Sequence, residues 1–556
     1  MIEERDVFVS MRDGTRLSVD VFRPDGDGPF PVLVALGPYG KDIQSLPIPP
    51  QPPQSPVYAR EIEAGDPRFL TANGYVHVIA DVRGVGRSDG EYTGWMSADE
   101  ARDGHDLIEW AAGQPWADGN VGMVGVSYYG AIQLLVAATQ PPHLKAIMPW
   151  NAPTDFYREG SHHGGILHPF FQQIYALKTR GRLASQLAQS LSSDEFASLS
   201  RDVADDDDLK MYPVLWNIAR NPDRLPPFFD ILAQPLDGPF YWERSAYTKY
   251  DKITVPAYCS SGWWAYGHMH LRGAFQNYAG IAGPTKLYIE SRVEAAAPMD
   301  DEYNAEVVRW YDHWLKGESN DVMDEPRVRV HVRGKGFRND TDWPLPATRW
   351  TDYFLGRFGR LSPEPEPVAG HPDIFLQQPV QETPKVNTLE YATGRLNADL
   401  EVVGPVALYL HGEIDATDTN WIVSLLDVAP EGTRTELTRG FLKASHRALD
   451  ESRSREWLPY HPHDKEVDVE PGKVYEYAIE LSPVANVFRR GHRIVLSISC
   501  QDHAQWPPAD PEIGGRGHLP WHVCSSSVVT HRVHHGPAHP SRLILPIVPQ
   551  AGADDA

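Results

Sequence analysis

Cysteine is nearly missing from this chain: there are three among 556 residues, Cys259, Cys500 and Cys524. They are far apart, odd in number and make no C-x-x-C. That excludes a disulfide framework and a cysteine zinc site, and makes a reducing cytoplasm the expected compartment. Long apolar runs are missing too, since none approaches the roughly 20 residues of a membrane span. The first residues, MIEERDVFVSMRDG, are acidic and polar, unlike a signal peptide. Basic residues are in deficit: 51 Lys and Arg against 75 Asp and Glu leave a formal net charge of −24. Phosphate backbones and anionic membranes need clustered cations, so nucleic-acid and membrane partners are excluded and the acidity reads as solubility. The glycines of ADVRGVGRSDG, residues 80–90, invite a phosphate-loop reading, but no G-K-[ST] follows. Neither a cofactor nor a metal is expected.

What is present is a folded chain of two or three domains. The first 150 residues alternate strand and helix signals. PVLVALG (31–37), GYVHVIAD (74–81) and VGMVGV (121–126) are apolar runs of the kind that forms strands buried on both faces, and the helical pattern DEARDGHDLIEWAAGQPW lies between the last two. This predicts a parallel α/β sheet over 1–145, resumed at 245–320 by VPAYCSSGW and KLYIES. Between them, 146–244 read as helices with acidic loops such as DVADDDDLK. From about 325 to 550 helices nearly vanish. RVRVHVRG, PVALYLHGEI, NWIVSLLDV, KVYEYAIEL, HRIVLSIS and SRLILPIVP predict an all-β sandwich.

Residues 121–130 read VGMVGVSYYG and run into AIQLLVAATQ. A serine at the end of a buried strand, between Gly125 and Gly130, suits a nucleophile on a strained turn, with the next helix aiming its N–H groups at an oxyanion. The plainer reading makes Ser127 a helix cap, and the local pattern leaves both open.

The longer context resembles the cocaine esterase, glutaryl-7-ACA acylase and X-prolyl dipeptidyl aminopeptidase superfamily. The G-x-S-x-x-G elbow, GPYGKD at 37–42, ADVRGVGRSDGEY, EARDGHDLIEWAAGQPWADGNVGM, RWYDHWLKG, DATDTNWIVSLLDVAPEG and FRRGHRIVLSISC carry the likeness over nearly the whole chain. The resemblance implies an α/β-hydrolase core, a helical cap and a C-terminal jelly-roll. It also implies an oxyanion hole made by the Tyr39 hydroxyl and the Tyr128 backbone N–H.

The same resemblance expects an aspartate in a G-W-Y-D stretch and a histidine after the next strand. This chain has Ala265 in GWWAY, and a gap-free count puts Glu294 at the histidine position. No histidine lies between His270 and His313. A base must then come from elsewhere, because a serine hydroxyl needs one. The candidates are His270 and His268 in GHMHLRGAF, His163 and His162 in REGSHHGGILH, Glu294 itself, and Asp502 with His503. The plain reading of His270 is a helix-start residue bonding the backbone. The functional expectation is a serine hydrolase acting on a small ester or amide, with no usual Ser-His-Asp chain, and a homodimer as the possible assembly. The alternative is a lyase, an acyltransferase or a binding protein on the same scaffold. An X-prolyl peptidase would need an acidic pocket for a free amino terminus, which no stretch announces.

Overall fold

The computed structural model describes residues 1–46, 62–169, 181–263, 269–291, 301–380, 382–383, 385–502 and 522–549. Ten strands form the first sheet: β1 (Ile2–Ser10), β2 (Arg16–Arg23), β3 (Phe30–Gly37), β4 (Val76–Asp81), β5 (Ala117–Met123), β6 (Leu144–Ile147), β7 (Ala257–Gly262), β8 (Thr285–Glu290), β9 (Val328–Val332) and β10 (Gly336–Asp340). Their order across the sheet is β1-β2-β4-β3-β5-β6-β7-β8-β9-β10. From β4 to β9 neighbouring strands run parallel; β1, β2 and β10 pair antiparallel at the edges. Every residue of β4, and all of β3 after Phe30, is buried, as their continuous apolar runs require. Helices α1 (Ala98–Ala112), α2 (Tyr128–Ala137), α3 (Leu271–Gly280) and α4 (Asp301–Trp314) cover the faces. Ser97 and Glu100 begin α1 with a reciprocal capping box.

Two features depart from the sequence reading. The sheet is mixed, and it reaches Asp340, beyond the sandwich boundary expected at about 325. RVRVHVRG alternates as a sandwich strand would, but Val328–Val330 pairs in parallel with Leu287–Ile289 of β8. The acidic stretch DVADDDDLK is not a loop either. Helix Ser193–Ala204 ends there and Asp206 caps the next short helix, Asp207–Lys210, by accepting from the Asp208 and Leu209 N–H groups.

The insertion opens with a π-helical turn, Phe156–Ser161, and a two-residue ladder of His162–His163 with Ile166–Leu167. Helices follow between Gln186 and Glu243. The C-terminal part is an all-β unit whose eleven strands include Leu400–Ile414, Asn420–Val428, Tyr475–Phe488 and Arg542–Ile547. Leu400–Ile414 pairs with Tyr475–Phe488 on one side and reaches Arg542–Ile547 on the other, so the sheet returns on itself around its own apolar core. Arg158 of the π-helical turn ties the two parts together: its Nη2 donates to the carbonyls of His461 (2.8 Å) and Pro462 (2.9 Å).

Candidate active site

Ser127 stands where β5 turns into α2, with φ 58° and ψ −117°, and it makes no side-chain cap bond to the helix. A positive φ on a residue with a Cβ costs on the order of 1–3 kcal/mol and persists only where its surroundings enforce it. They do so here. The Ser127 N–H donates to the Trp150 carbonyl at 2.9 Å, and the Val126 N–H donates to the Glu63 carbonyl at 2.9 Å. The flanking glycines are needed for space. A Cβ on Gly125 would lie 2.4 Å from the Tyr129 Cβ, and one on Gly130 would lie 2.6 Å from the Trp150 oxygen. The second glycine therefore lets α2 press against the extension of β6, which explains its place in G-x-S-x-x-G.

His270 meets this serine. It immediately precedes α3, its ring makes no cap bond, and it is fully buried. Its Nε2 lies 3.0 Å from Ser127 Oγ. The plain reading of His270 as a backbone-bonding helix starter thus gives way to a side chain facing the nucleophile position. β7, the strand before His270, lies on the sheet edge where the elbow lies: Val126, Trp150 and Ser260 form one bridged row.

Tyr39 follows β3, is buried, and packs its ring 6.1 Å from those of Tyr128 and Tyr129. Its loop is pinned from below. The Asp81 Oδ1 accepts the Lys41 N–H at 2.7 Å, and the Lys41 ammonium lies 2.8 Å from both Asp6 and Asp20. The glycine-rich ADVRGVGRSDG stretch is this buttress: a Cβ on Gly86 would strike the Asp81 carboxylate. The Tyr128 side chain points away into the core. Its hydroxyl donates to Glu100 and accepts the Met96 N–H at 3.1 Å. What Tyr128 can offer the site is its backbone N–H, in the first turn of α2. Trp95 stacks on Phe156 at 5.2 Å and sets its ring edge-on to Tyr128, fixing that side chain in the core.

His163 belongs to another cluster. Its Nδ1 lies 2.9 Å from His522 Nε2, whose Nδ1 lies 2.5 Å from Asp502, and its Nε2 lies 3.4 Å from the Glu159 carbonyl. His162 stacks on Tyr157 and bonds Ser161. Ala265, His268, Glu294 and His503 lie outside the described residues.

Sequence reasoning passed over Glu159. It is fully buried on the π-helical turn, its Oε2 accepts the Thr154 and Asp155 N–H groups at 2.7 Å each, and burial lifts its carboxyl to about 8 against the pull of Arg272. Its only sequence signal is a carboxylate a few residues past a strand end, which is common. The acidic trio Asp6, Asp20 and Asp42 could hold a cation by spacing, but the Lys41 ammonium already sits among these carboxylates.

Comparison with known proteins agrees with this architecture. Residues 13–292 match the X-Pro dipeptidyl-peptidase (S15 family) domain, and residues 320–544 match the X-Pro dipeptidyl-peptidase C-terminal non-catalytic domain. Cocaine esterase from Rhodococcus sp. (strain MB1 Bresler) is 27% identical, the alignment covering 98% of each chain. The crystal structure of a CocE/NonD family hydrolase from Staphylococcus aureus superposes with a TM-score of 0.77 at 26% identity, over 99% of this chain and 94% of that one. An alpha-amino acid ester hydrolase shares the fold, with a TM-score of 0.75 at 19% identity over 98% of this chain and 96% of that one. With an elbow serine on an α/β-hydrolase sheet and an all-β unit behind it, the chain belongs to the X-Pro dipeptidyl-peptidase (S15) family and is a hydrolase of the serine type.

Proposed function

We propose that the protein hydrolyses a carboxylic ester or amide through an acyl-Ser127 intermediate, with His270 as general base and then general acid. The Tyr39 hydroxyl and the Tyr128 backbone N–H serve as oxyanion donors. The observation that carries this reading is the 3.0 Å contact between Ser127 Oγ and His270 Nε2. That distance is within hydrogen-bond reach for proton transfer. Ser127 Oγ attacks the carbonyl carbon while its proton passes to Nε2, and the carbonyl π electrons move onto oxygen. The oxyanion forms opposite the start of α2, where N–H donors stabilise it without reorganisation. His270 then returns the proton to the leaving alcohol or amine as the C–O or C–N bond breaks. A water attacks the acyl-enzyme by the same route, releasing the acid and Ser127.

The test uses a fluorophosphonate probe and a p-nitrophenyl ester with the full chain. The expected result is labelling of Ser127, lost in Ser127→Ala, with ester turnover falling by about 10⁴-fold in His270→Ala. Tyr39→Phe should cost about 10²–10³ in kcat. A wild-type protein that neither takes the probe nor turns over any ester overturns the reading, and so does a His270→Ala variant with unchanged rates.

A further inference from the structure

The base in this site arrives from the strand next to the one that bears it in the family pattern. His270 follows β7, and the stretch after β8 has no histidine before His313. A histidine base needs a partner that holds its Nδ1–H outward, so that Nε2 is free to take the serine proton. The stretch after β7 holds no carboxylate before α3: residues 263–270 read WWAYGHMH.

The segment after β6 brings one. Glu159 is fully buried, and Oε2 is used by the Thr154 and Asp155 N–H groups while Oε1 has no hydrogen-bond partner among the described residues. A carboxylate oxygen buried without a partner is costly and is seldom kept without a use. Its location is specific. A Cβ placed on Gly273 would lie 3.1 Å from this oxygen and 2.3 Å from the Ala152 carbonyl. Gly273 lies in the first turn of α3, three residues after His270. Residues three apart share a helix face with Cβ positions about 5–6 Å apart. The absent side chain at 273 thus lets the Glu159 turn close against the face of α3 that His270 heads.

We propose that Glu159 is the positioning residue for His270: its Oε1, which is not bonded to His270 in this structure, closes on the Nδ1–H when substrate fills the site and stabilises the imidazolium formed when Ser127 gives up its proton. Base and acid would then both have moved one strand toward the nucleophile, giving a triad from β5, β6 and β7. This rests on the serine-hydrolase reading above. No net proton or electron is added, since the carboxylate stays ionised while the proton shuttles between Ser127 Oγ and His270 Nε2.

Several groups face Glu159. Arg272 of α3 favours its ionised form, Asp155 of its own turn opposes it, the Tyr250 hydroxyl stands beside Thr154, and the His163 ring lies at its carbonyl. Its carboxyl titrates at about 8, so the positioning carboxylate is fully present only on the alkaline side.

The deciding variant is Glu159→Gln. Its amide oxygen can still accept the Thr154 and Asp155 N–H groups, while its NH₂ would face Nδ1–H and disfavour the productive tautomer. The expected result is a kcat lower by about 10²–10⁴-fold with KM within about threefold, and slower fluorophosphonate labelling of Ser127. The wild-type rate should rise through an inflection near pH 8 that the variant lacks, and Glu159→Asp should recover part of the rate. Unchanged kcat in a natively melting Glu159→Gln, or a loss confined to KM, overturns the proposal. Should Glu159→Gln not fold, ¹⁵N-histidine NMR of the wild type decides: an Nδ1–H tautomer at His270 supports it and an Nε2–H tautomer overturns it. A dead His270→Ala beside an active Glu159→Gln removes only this proposal, whereas an active His270→Ala removes the underlying reading.

Discussion

Ser127 keeps a positive φ because Trp150 and Glu63 hold its strand end in place, and the cheapest way to disturb it is one methyl group. Gly130 has room for no Cβ: the new atom would lie 2.6 Å from the oxygen of Trp150 and 3.2 Å from its nitrogen. That oxygen is also the acceptor of the Ser127 N–H. Gly130→Ala must therefore push α2 off the β6 extension and loosen the nucleophile at the same time. Overpacking of this kind costs about 1–3 kcal/mol. We expect that loss in urea unfolding, together with labelling of Ser127 slowed at least tenfold, a factor of about 1.4 kcal/mol in the barrier. Wild-type labelling in Gly130→Ala would mean that the glycine serves packing alone. At this scale the sequence was informative about Ser127 and its glycines, because backbone demands leave local marks. His270 was visible only as one histidine among several. Glu159 left no mark, since what singles it out is a missing partner and a glycine more than a hundred residues away.

The elbow and the Tyr39 loop are separate elements, joined by ring packing and by a hydrogen-bonded bridge through Gln44. Gln44, 1% exposed, accepts the N–H groups of Glu63 (2.7 Å) and Ala64 (3.1 Å) through Oε1, and the Glu63 carbonyl in turn holds the Val126 N–H. Movement of the Tyr39 segment is thus coupled to the strand end that carries Ser127. Gln44→Ala would strand two buried donors, each costing about 1–3 kcal/mol. The expected outcome is a loss of stability on that order and a fall in kcat larger than in Tyr39→Phe, because both oxyanion donors shift; Gln44→Glu keeps the acceptor and should lose less. Equal stability in Gln44→Ala would sink the coupling. Elements of this kind were largely legible beforehand. The buried parallel strands, the helices around them and the late β-strands follow from period and composition. What misled was β9, whose alternating pattern is the same whether its neighbour is β8 or a sandwich strand; pairing partners are set by packing at a distance.

For the whole molecule, the buried carboxyls set how stability follows pH. Burial raises Asp81 and Glu100 to about 7, Asp230 to about 6 and Glu159 to about 8, all well above the range of unfolded carboxyls. Between about pH 6.5 and 8 these carboxyls keep protons that the unfolded chain has lost, so stability falls over that interval; below it the buried histidines oppose them, because burial lowers His77 to about 3 and His411 and His531 to about 4 and their contribution rises with pH. Glu466 acts in the opposite sense. Lowered to about 2 by His446 and Lys443, it adds stability above its unfolded value that is lost only in acid. The chain therefore loses stability on the alkaline side of neutrality, while below about pH 6.5 the two sets of groups oppose each other. Its net charge of −24 pushes the same way, because self-repulsion grows as the last carboxyls ionise. Salt separates the two causes. Repulsion between surface charges is screened at the roughly 8 Å Debye length of physiological salt, whereas the desolvation of buried carboxyls is not. Melting temperatures measured from pH 6.5 to 8.5 should fall with pH at both low and high salt. Glu100→Gln, which keeps an acceptor for the Tyr128 hydroxyl, should flatten the fall between about pH 6 and 8. A melting temperature that rises with pH across this window, or a fall abolished by salt alone, would mean that these carboxyls are hydrated in solution and that the sheet edge beneath the nucleophile is wetter than its packing implies.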